Sequence, residues 1–244
     1  MENKTARELS VEEFASMMDV SAVQAQSTWE DAENVMRVAD EYDGSCIFLL
    51  GRLTELAAPR LKEMNERRKA QGKRTIHLGS VIGFPDGGTL TDVKVYEAKR
   101  LLEIGCDEVD CVMNVGLARS NRWDEVEADL RAIRAATEGK ILKVILETPY
   151  LTDDQIAVGA EICANIGANF VKSSTGWPEK KTTVENIALM KKTVGERCRV
   201  KAAGGVRTLE TLFAMYDAGA TTFGISWATV VKLLDELRAQ RTPS

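Results

Sequence analysis

The chain has a single histidine, His77, in 244 residues, five cysteines with no C-x-x-C pair, five prolines and no long apolar run. Each shortage excludes something. One histidine rules out a zinc centre built on two or three imidazoles from this chain. A Ser-His-Asp triad would depend on His77, and the nearest approach to a nucleophile elbow, Gly224-Ile225-Ser226-Trp227-Ala228, lacks its closing glycine. Cys46, Cys106, Cys111, Cys163 and Cys198 show no zinc spacing. The longest uninterrupted apolar run, Cys46 to Leu50, is far too short to span a bilayer. The stretch from Met1 to Ser10 lacks the apolar core of a signal peptide. With 32 Lys and Arg against 37 Asp and Glu, the net charge of −5 gives no general attraction for nucleic acid or membrane. The basic stretch Arg60 to Arg74 is interrupted by Glu63 and Glu66 and reads as a solvated helix face. The expectation is a cytoplasmic, reduced protein with no nucleic-acid, membrane or metal partner. Any proton traffic runs through Lys, Asp and Glu.

What is present is an alternation. Short apolar or β-branched runs occur at Ser45-Leu50, Thr75-Ile82, Glu108-Val115, Ile141-Glu147, Asn169-Ser173, Arg199-Ala203 and Thr221-Ile225, with a brief eighth at Met17-Val20. Between them lie stretches of helical period: Trp29 to Tyr42, about Leu90 to Ile104, Trp123 to Ala136, Asp153 to Ile166, Val184 to Val194 and Leu209 to Ala218. Cap signals open several, at Thr91-Asp92, Thr152-Asp153-Asp154 and Thr208, and glycines close them at Gly105, Gly139, Gly167, Gly195 and Gly219. Strand then helix, repeated, predicts parallel β with crossover helices. Eight units of roughly 30 residues approach the ~250 typical of a (β/α)₈ barrel. A doubly wound open sheet is the runner-up, but no G-x-G-x-x-G follows any strand. At 44% hydrophobic and 28% charged, with no linker, the chain reads as one barrel domain over 1–244 with a short N-terminal extension at about 1–16.

The inward face of the strands is unusually charged. In Glu108-Val109-Asp110-Cys111-Val112-Met113-Asn114 the even positions carry every polar group, leaving Val109, Cys111 and Met113 for the helices. Lys143, Lys172 and Lys201 follow, each 29 residues apart, a spacing that predicts similar heights on neighbouring strands. A charged cluster inside a barrel costs several kcal/mol per unpaired ion. One reading is a salt-bridged layer. The other is that crowded lysines depress one another's pKa until one amine is neutral, nucleophilic and able to form a Schiff base, with Asp110 moving protons. The spacing does not say which lysine attacks. Lys201-Ala-Ala-Gly204-Gly205-Val206-Arg207-Thr208 runs from strand into helix, and Gly224-Ile225-Ser226 ends the last strand. Both loops suit a phosphate, or merely permit tight turns. His77 reads as a buried or capped strand residue with a pocket-lining role open, Cys111 as core. Glu147 either meets Lys143 or faces the pocket.

Together these residues resemble the deoxyribose-phosphate aldolase family, class I aldolases on a (β/α)₈ barrel. The resemblance covers about Val81 to Ser226 and rests on Val81-Ile-Gly-Phe-Pro, Asp107-Glu-Val-Asp110, Leu142-Lys-Val-Ile, Phe170-Val-Lys-Ser-Ser-Thr-Gly176 and Val200-Lys-Ala-Ala-Gly-Gly-Val-Arg-Thr208. It implies Lys172 as the Schiff-base lysine, Lys201 as the lysine that lowers its pKa, and Asp110 as the proton-relay carboxylate. It also implies Asp19, Lys143, Gly204, Gly205, Gly224 and Ser226 at the substrate and phosphate positions. The implied reaction joins acetaldehyde to glyceraldehyde 3-phosphate reversibly, without metal or cofactor, in a homo-oligomer. Two regions depart from the family. Asp19-Val20-Ser21-Ala22-Val23-Gln24 keeps only the Asp and a hydroxyl of the usual Asp-His-Thr-Leu-Leu-Lys strand, and Phe223-Gly224-Ile225-Ser226-Trp227 replaces a second serine with an indole. These departures, with Trp177 in the Lys172 loop, predict an altered acceptor, larger or unphosphorylated, or else packing at an oligomer interface. A catalytically silent barrel kept for binding is the alternative function.

Overall fold

A computed structural model describes residues 4–241, so the first three residues of the expected N-terminal extension lie outside the described residues. The strands are β1 (Met18–Ala22), β2 (Cys46–Leu49), β3 (His77–Ile82), β4 (Glu108–Val112), β5 (Ile141–Ile145), β6 (Phe170–Lys172), β7 (Arg199–Ala203) and β8 (Ala220–Ser226). Each pairs in parallel with the next, and β8 pairs with β1 to close the barrel. The helices are α1 (Val11–Ala15), α2 (Trp29–Tyr42), α3 (Gly51–Ala70), α4 (Thr91–Ile104), α5 (Val115–Arg119), α6 (Trp123–Ala136), α7 (Asp153–Asn165), α8 (Val184–Val194), α9 (Leu209–Asp217) and α10 (Trp227–Arg241). None of the described helices is long and apolar enough to cross a membrane.

Local chemistry explains most boundaries. Thr28 with Asp31, Thr152 with Gln155 and Thr183 with Asn186 form capping boxes that satisfy orphan N–H groups at the starts of α2, α7 and α8. Gly105, Gly139, Gly167, Gly195 and Gly219 all have positive φ just past helix ends. The Thr91 cap is not observed. Leu90 occupies the cap position of α4, and the Thr91 hydroxyl donates instead to Asp129 Oδ1 at 2.7 Å. The solvated-face reading of Arg60 to Arg74 also needs correction at Arg68, whose side chain is 1% exposed. It lies between Asp40 and Asp43 and donates to the Arg74 carbonyl at 2.8 Å, whereas its neighbours Arg67 and Lys69 are exposed.

The alternation on β4 is as the sequence predicts. Val109, Cys111 and Met113 pack in the main core between sheet and helices, while Glu108 and Asp110 point to the barrel axis. Because helices cover the outside and charges fill the inside, every β4 residue is buried. Inside, the Phe48 ring of β2 projects over Gly79 of the adjacent β3. A Cβ at Gly79 would lie 2.5 Å from the ring, so the glycine makes room for the aromatic. At the N-terminal end, Phe14 of α1 stacks on Phe213 at 5.5 Å and meets Tyr216 edge-on, tying the extension to α9.

Candidate active site

Lys172 is the last residue of β6, opposite Ile145 on β5 and Lys201 on β7. Its Nζ donates to Asp110 Oδ2 at 2.7 Å. Lys201 Nζ donates to the same oxygen at 2.7 Å and lies 2.6 Å from Asp19 Oδ2. Lys143 Nζ donates to Asp19 Oδ2 at 3.1 Å and to Glu108 Oε2, and lies 3.7 Å from Asp110 Oδ1. The Phe48 ring centroid is 4.0 Å from Lys201 Nζ and 4.5 Å from Lys143 Nζ, a face that attracts cations. The equal-height expectation holds for Lys172 and Lys201 only. Lys143 pairs in register with Asp110 and Phe170, two residues short of the Lys172 level, because chain spacing counts loop and helix lengths as well as strand register.

The salt-bridged layer and the crowded-lysine cluster are therefore the same atoms. Asp19, Glu108 and Asp110 face Lys143, Lys172 and Lys201, all six buried. Burial pushes the Lys172 amine down to about 8, Lys201 and Lys143 push the same way, and Asp110 only partly opposes them. For Lys143 burial acts in the same direction but loses: Asp19, Asp110 and Glu108 hold its ammonium well above the ordinary lysine value. Burial would raise the Asp110 carboxyl, yet Lys172, Lys201 and Lys143 hold it well below the usual carboxylate range. Asp110 Oδ1 is buried and accepts no hydrogen bond among the described residues, leaving a lone pair for a substrate proton.

A small cavity of about 20 Å³ touches Lys172, Lys201, Asp19 and Phe48. It adjoins a cleft of about 560 Å³ at the C-terminal ends of the strands, with Ser21, Val23, Thr175 and Gly224 lining both. Gly204 and Gly205 line the cleft with φ of 77° and 149°. A Cβ at Gly204 would meet Ser174 Oγ at 2.8 Å, so the close approach of the β6 and β7 loops requires glycine there. Lys181, Arg207, Asp31, Ser226 and Trp227 complete the far wall. The Trp227 indole donates to Asp31 Oδ1 at 3.2 Å, and Ser226 Oγ pairs with Thr229 at 2.9 Å.

Of the residues singled out from sequence, Lys172, Lys201 and Asp19 line the small cavity, Asp110 pairs with both lysines without lining it, and Gly204, Gly205, Gly224 and Ser226 line the cleft. Lys143 lines neither. It is 1% exposed and paired with the carboxylates of Asp19 and Glu108. His77 lies away from this cleft: it begins β3 at the opposite barrel mouth, lines a separate groove there beside α3, and bonds Glu108 Oε1 through Nδ1 at 2.6 Å. Glu147 takes neither expected course. At φ 60° and 2% exposure it accepts from Ser174 Oγ, Thr175 Oγ1 and the Thr175 N–H at 3.1 Å, clamping the loop after Lys172. Sequence reasoning missed Phe48, an apolar residue in an apolar strand. The only signal was Gly79 in an otherwise well-formed strand.

Trp177 lies in the loop after β6. Its indole N–H donates to the Val23 carbonyl at 2.9 Å and its ring meets Phe84 edge-on at 5.6 Å, joining the β1, β3 and β6 loops. Donor atoms of Asp19, Cys46 and Glu108 lie within 4.8 Å of one another, a spacing a metal could use. The Lys143 ammonium bonds the two carboxylates, filling the place of a cation, and burial holds the Cys46 thiol well above its usual value. These three residues are therefore not assigned to a metal.

Residues 16–227 match the DeoC/LacD family aldolase model. The chain is 39% identical over 214 residues to the deoxyribose-phosphate aldolase of Histophilus somni strain 2336, covering 88% of this chain and 91% of that one. It is 37% identical over 236 residues to the deoxyribose-phosphate aldolase of Klebsiella pneumoniae, covering 97% and 92%. Among solved structures it resembles the tetrameric deoxyribose phosphate aldolase of Aeropyrum pernix, with TM-score 0.78, 28% identity and coverage of 95% and 93%. It also resembles an aldolase called QR15, with TM-score 0.81, 30% identity and coverage of 93% and 96%.

Proposed function

The chain belongs to the DeoC/LacD family of aldolases, and from that premise we propose that Lys172 carries its reaction through a Schiff base. The activity is that of a carbon–carbon lyase of the deoxyribose-phosphate aldolase kind. A silent barrel has no observation in its favour. The observation that carries the mechanism is Lys172 itself: a buried amine held down to about 8, at a strand end, beside a cavity open to the cleft.

In the synthetic direction the neutral Lys172 amine attacks the carbonyl carbon of acetaldehyde. The carbonyl oxygen takes up protons and leaves as water, giving a protonated Schiff base. Asp110, through its free Oδ1, accepts a proton from the methyl carbon by way of water, and the resulting enamine carbon attacks the acceptor aldehyde. Hydrolysis returns the amine. Lys201 keeps Asp110 Oδ2 occupied throughout and stops it from neutralising Lys172 alone. Reduction with borohydride in the presence of acetaldehyde tests this. The expected result is a two-carbon mass increase on the Lys172 peptide, and a folded protein without it overturns the assignment.

At the acceptor end, Gly204, Gly205, Lys181 and Arg207 suit the phosphate of glyceraldehyde 3-phosphate. A second reading, an unphosphorylated acceptor, is favoured by the Asp31 carboxylate held in the same wall by Trp227. Retro-aldol rates on 2-deoxyribose 5-phosphate and on 2-deoxyribose decide between them. A strong preference for the phosphorylated sugar excludes the second reading. The five cysteines are free and buried, which suits a reducing cytoplasm. Exposed Leu90, Val93 and Tyr96 on and beside α4 suit a homo-oligomer.

A further inference from the structure

The axial cluster holds three carboxylates and three amines. With every amine protonated the charges balance, but the proposed reaction needs Lys172 neutral. Asp19, Glu108 and Asp110 then face only Lys143 and Lys201, and the buried cluster is one positive charge short. An uncompensated charge in such a place is costly.

One further base touches the cluster among the described residues. His77 Nδ1 lies 2.6 Å from Glu108 Oε1, while Glu108 Oε2 meets Lys143, and Lys143 reaches both Asp19 and Asp110. The His77 side chain is 44% exposed, at the end of the barrel where no substrate enters, so it exchanges protons with solvent independently of the cleft. Its surroundings do not supply the missing charge. Cys46 is its partner on β2 and is a neutral thiol at this burial. Asp107, before β4, is engaged by Lys140 at 4.0 Å. Across a groove α3 presents exposed Lys62, Glu66 and Lys69 with half-buried Glu55, a set of mixed sign.

We propose that His77 is a positioning residue whose imidazolium, acting through Glu108 and Lys143, balances the cluster while Lys172 is the free amine. This rests on the reading of Lys172 as nucleophile. The Glu108 hydrogen bond raises the His77 pKa above its ordinary value, against the opposing effect of partial burial, and so favours the charged form. Below neutrality Lys172 and His77 are both protonated and attack stops. At higher pH His77 loses its proton, the cluster keeps one on Lys172, and attack falls again. The alkaline limb therefore belongs to a residue on the far side of the barrel.

The test is the rate of cyanoborohydride-trapped acetaldehyde adduct at Lys172, read by peptide mass in the full chain from about pH 6 to about pH 9. Wild type, His77→Gln and His77→Arg are compared. His77→Gln is expected to trap about three- to tenfold more slowly at pH 7, with the acid midpoint raised by about half to one unit. His77→Arg, permanently charged, restores most of the rate and removes the alkaline limb. Superimposable profiles overturn the proposal, as does equal loss in both variants, which marks a role in packing alone. A wild-type protein with no Lys172 adduct overturns the nucleophile reading and this one with it. An intact adduct with unmoved profiles overturns only the part given to His77.

Discussion

Lys143 and Lys172 are the same residue type, both buried, on adjacent strands, touching one carboxylate in common, yet they are driven in opposite directions. Lys143 sits where three carboxylates converge and stays charged. Lys172 has only Asp110 Oδ2, and must share it with Lys201, so its amine falls to about 8. Burial alone does not decide the direction of the shift here; the local count of anions per ammonium does.

The comparison breaks most visibly at Lys172. Lys172→Met is expected to abolish adduct formation and lower lyase activity by a factor on the order of 10⁴ or more, while Lys201 still neutralises Asp110 and the fold persists. Steady-state retro-aldol rates and an unfolding curve check both halves. Asp110→Asn removes the shared anion from both ends of the cluster, and kcat is expected to fall by about 10²- to 10⁴-fold. The opposite end answers in stability. Lys143→Met leaves Glu108 and Asp19 short of a cation and is expected to cost about 3–5 kcal/mol in urea unfolding, far more than it costs chemistry in the folded fraction.

The pH dependence sharpens the contrast. With the Lys172 amine at about 8, roughly a tenth is neutral at pH 7, so kcat/KM is expected to climb up to about tenfold towards its optimum. The stability sign follows. Unfolded, the same amine titrates near 10.5, so between about 8 and 10.5 the unfolded chain binds more protons. The penalty of burying Lys172 is fully present below about 8 and is relieved as pH rises through that window. The smallest effect belongs to the rim. Trp227→Ser frees Asp31 and reshapes the cleft wall, and is expected to shift the ratio of kcat/KM for phosphorylated and unphosphorylated substrates by about fivefold.

The barrel was legible because its signals are local. Apolar period, with closing glycines after α6 and α8, placed α2, α6 and α8 at their observed bounds and β7 likewise. The helices without such punctuation, α3 with Pro59 in its middle and α10 starting at a tryptophan, left little trace. In the cluster, alternation identified which side chains face inward on β4, since that depends only on parity along one strand. Register between strands depends on every intervening loop, and so the position of Lys143 did not follow from its spacing. Arg68 and Glu147 were opaque for a related reason: their partners are distant in sequence, and a buried charge shows no pattern until its counter-groups are in place. The choice of Lys172 over its two neighbours came from resemblance, and the asymmetry of its surroundings supplies the physical reason.

The pairing of Phe48 with Gly79 has a consequence for how such chains can vary. The ring lies under the ammoniums and occupies the space a β3 side chain would take, so the two positions share one fixed volume. A side chain at position 79 would collide with the ring unless position 48 became smaller. Across related chains they should trade bulk: where β3 carries alanine or a larger residue, β2 should carry something slimmer than phenylalanine. Such covariation, looked for in a set of aligned relatives, would be the imprint of a floor shaped by two strands at once.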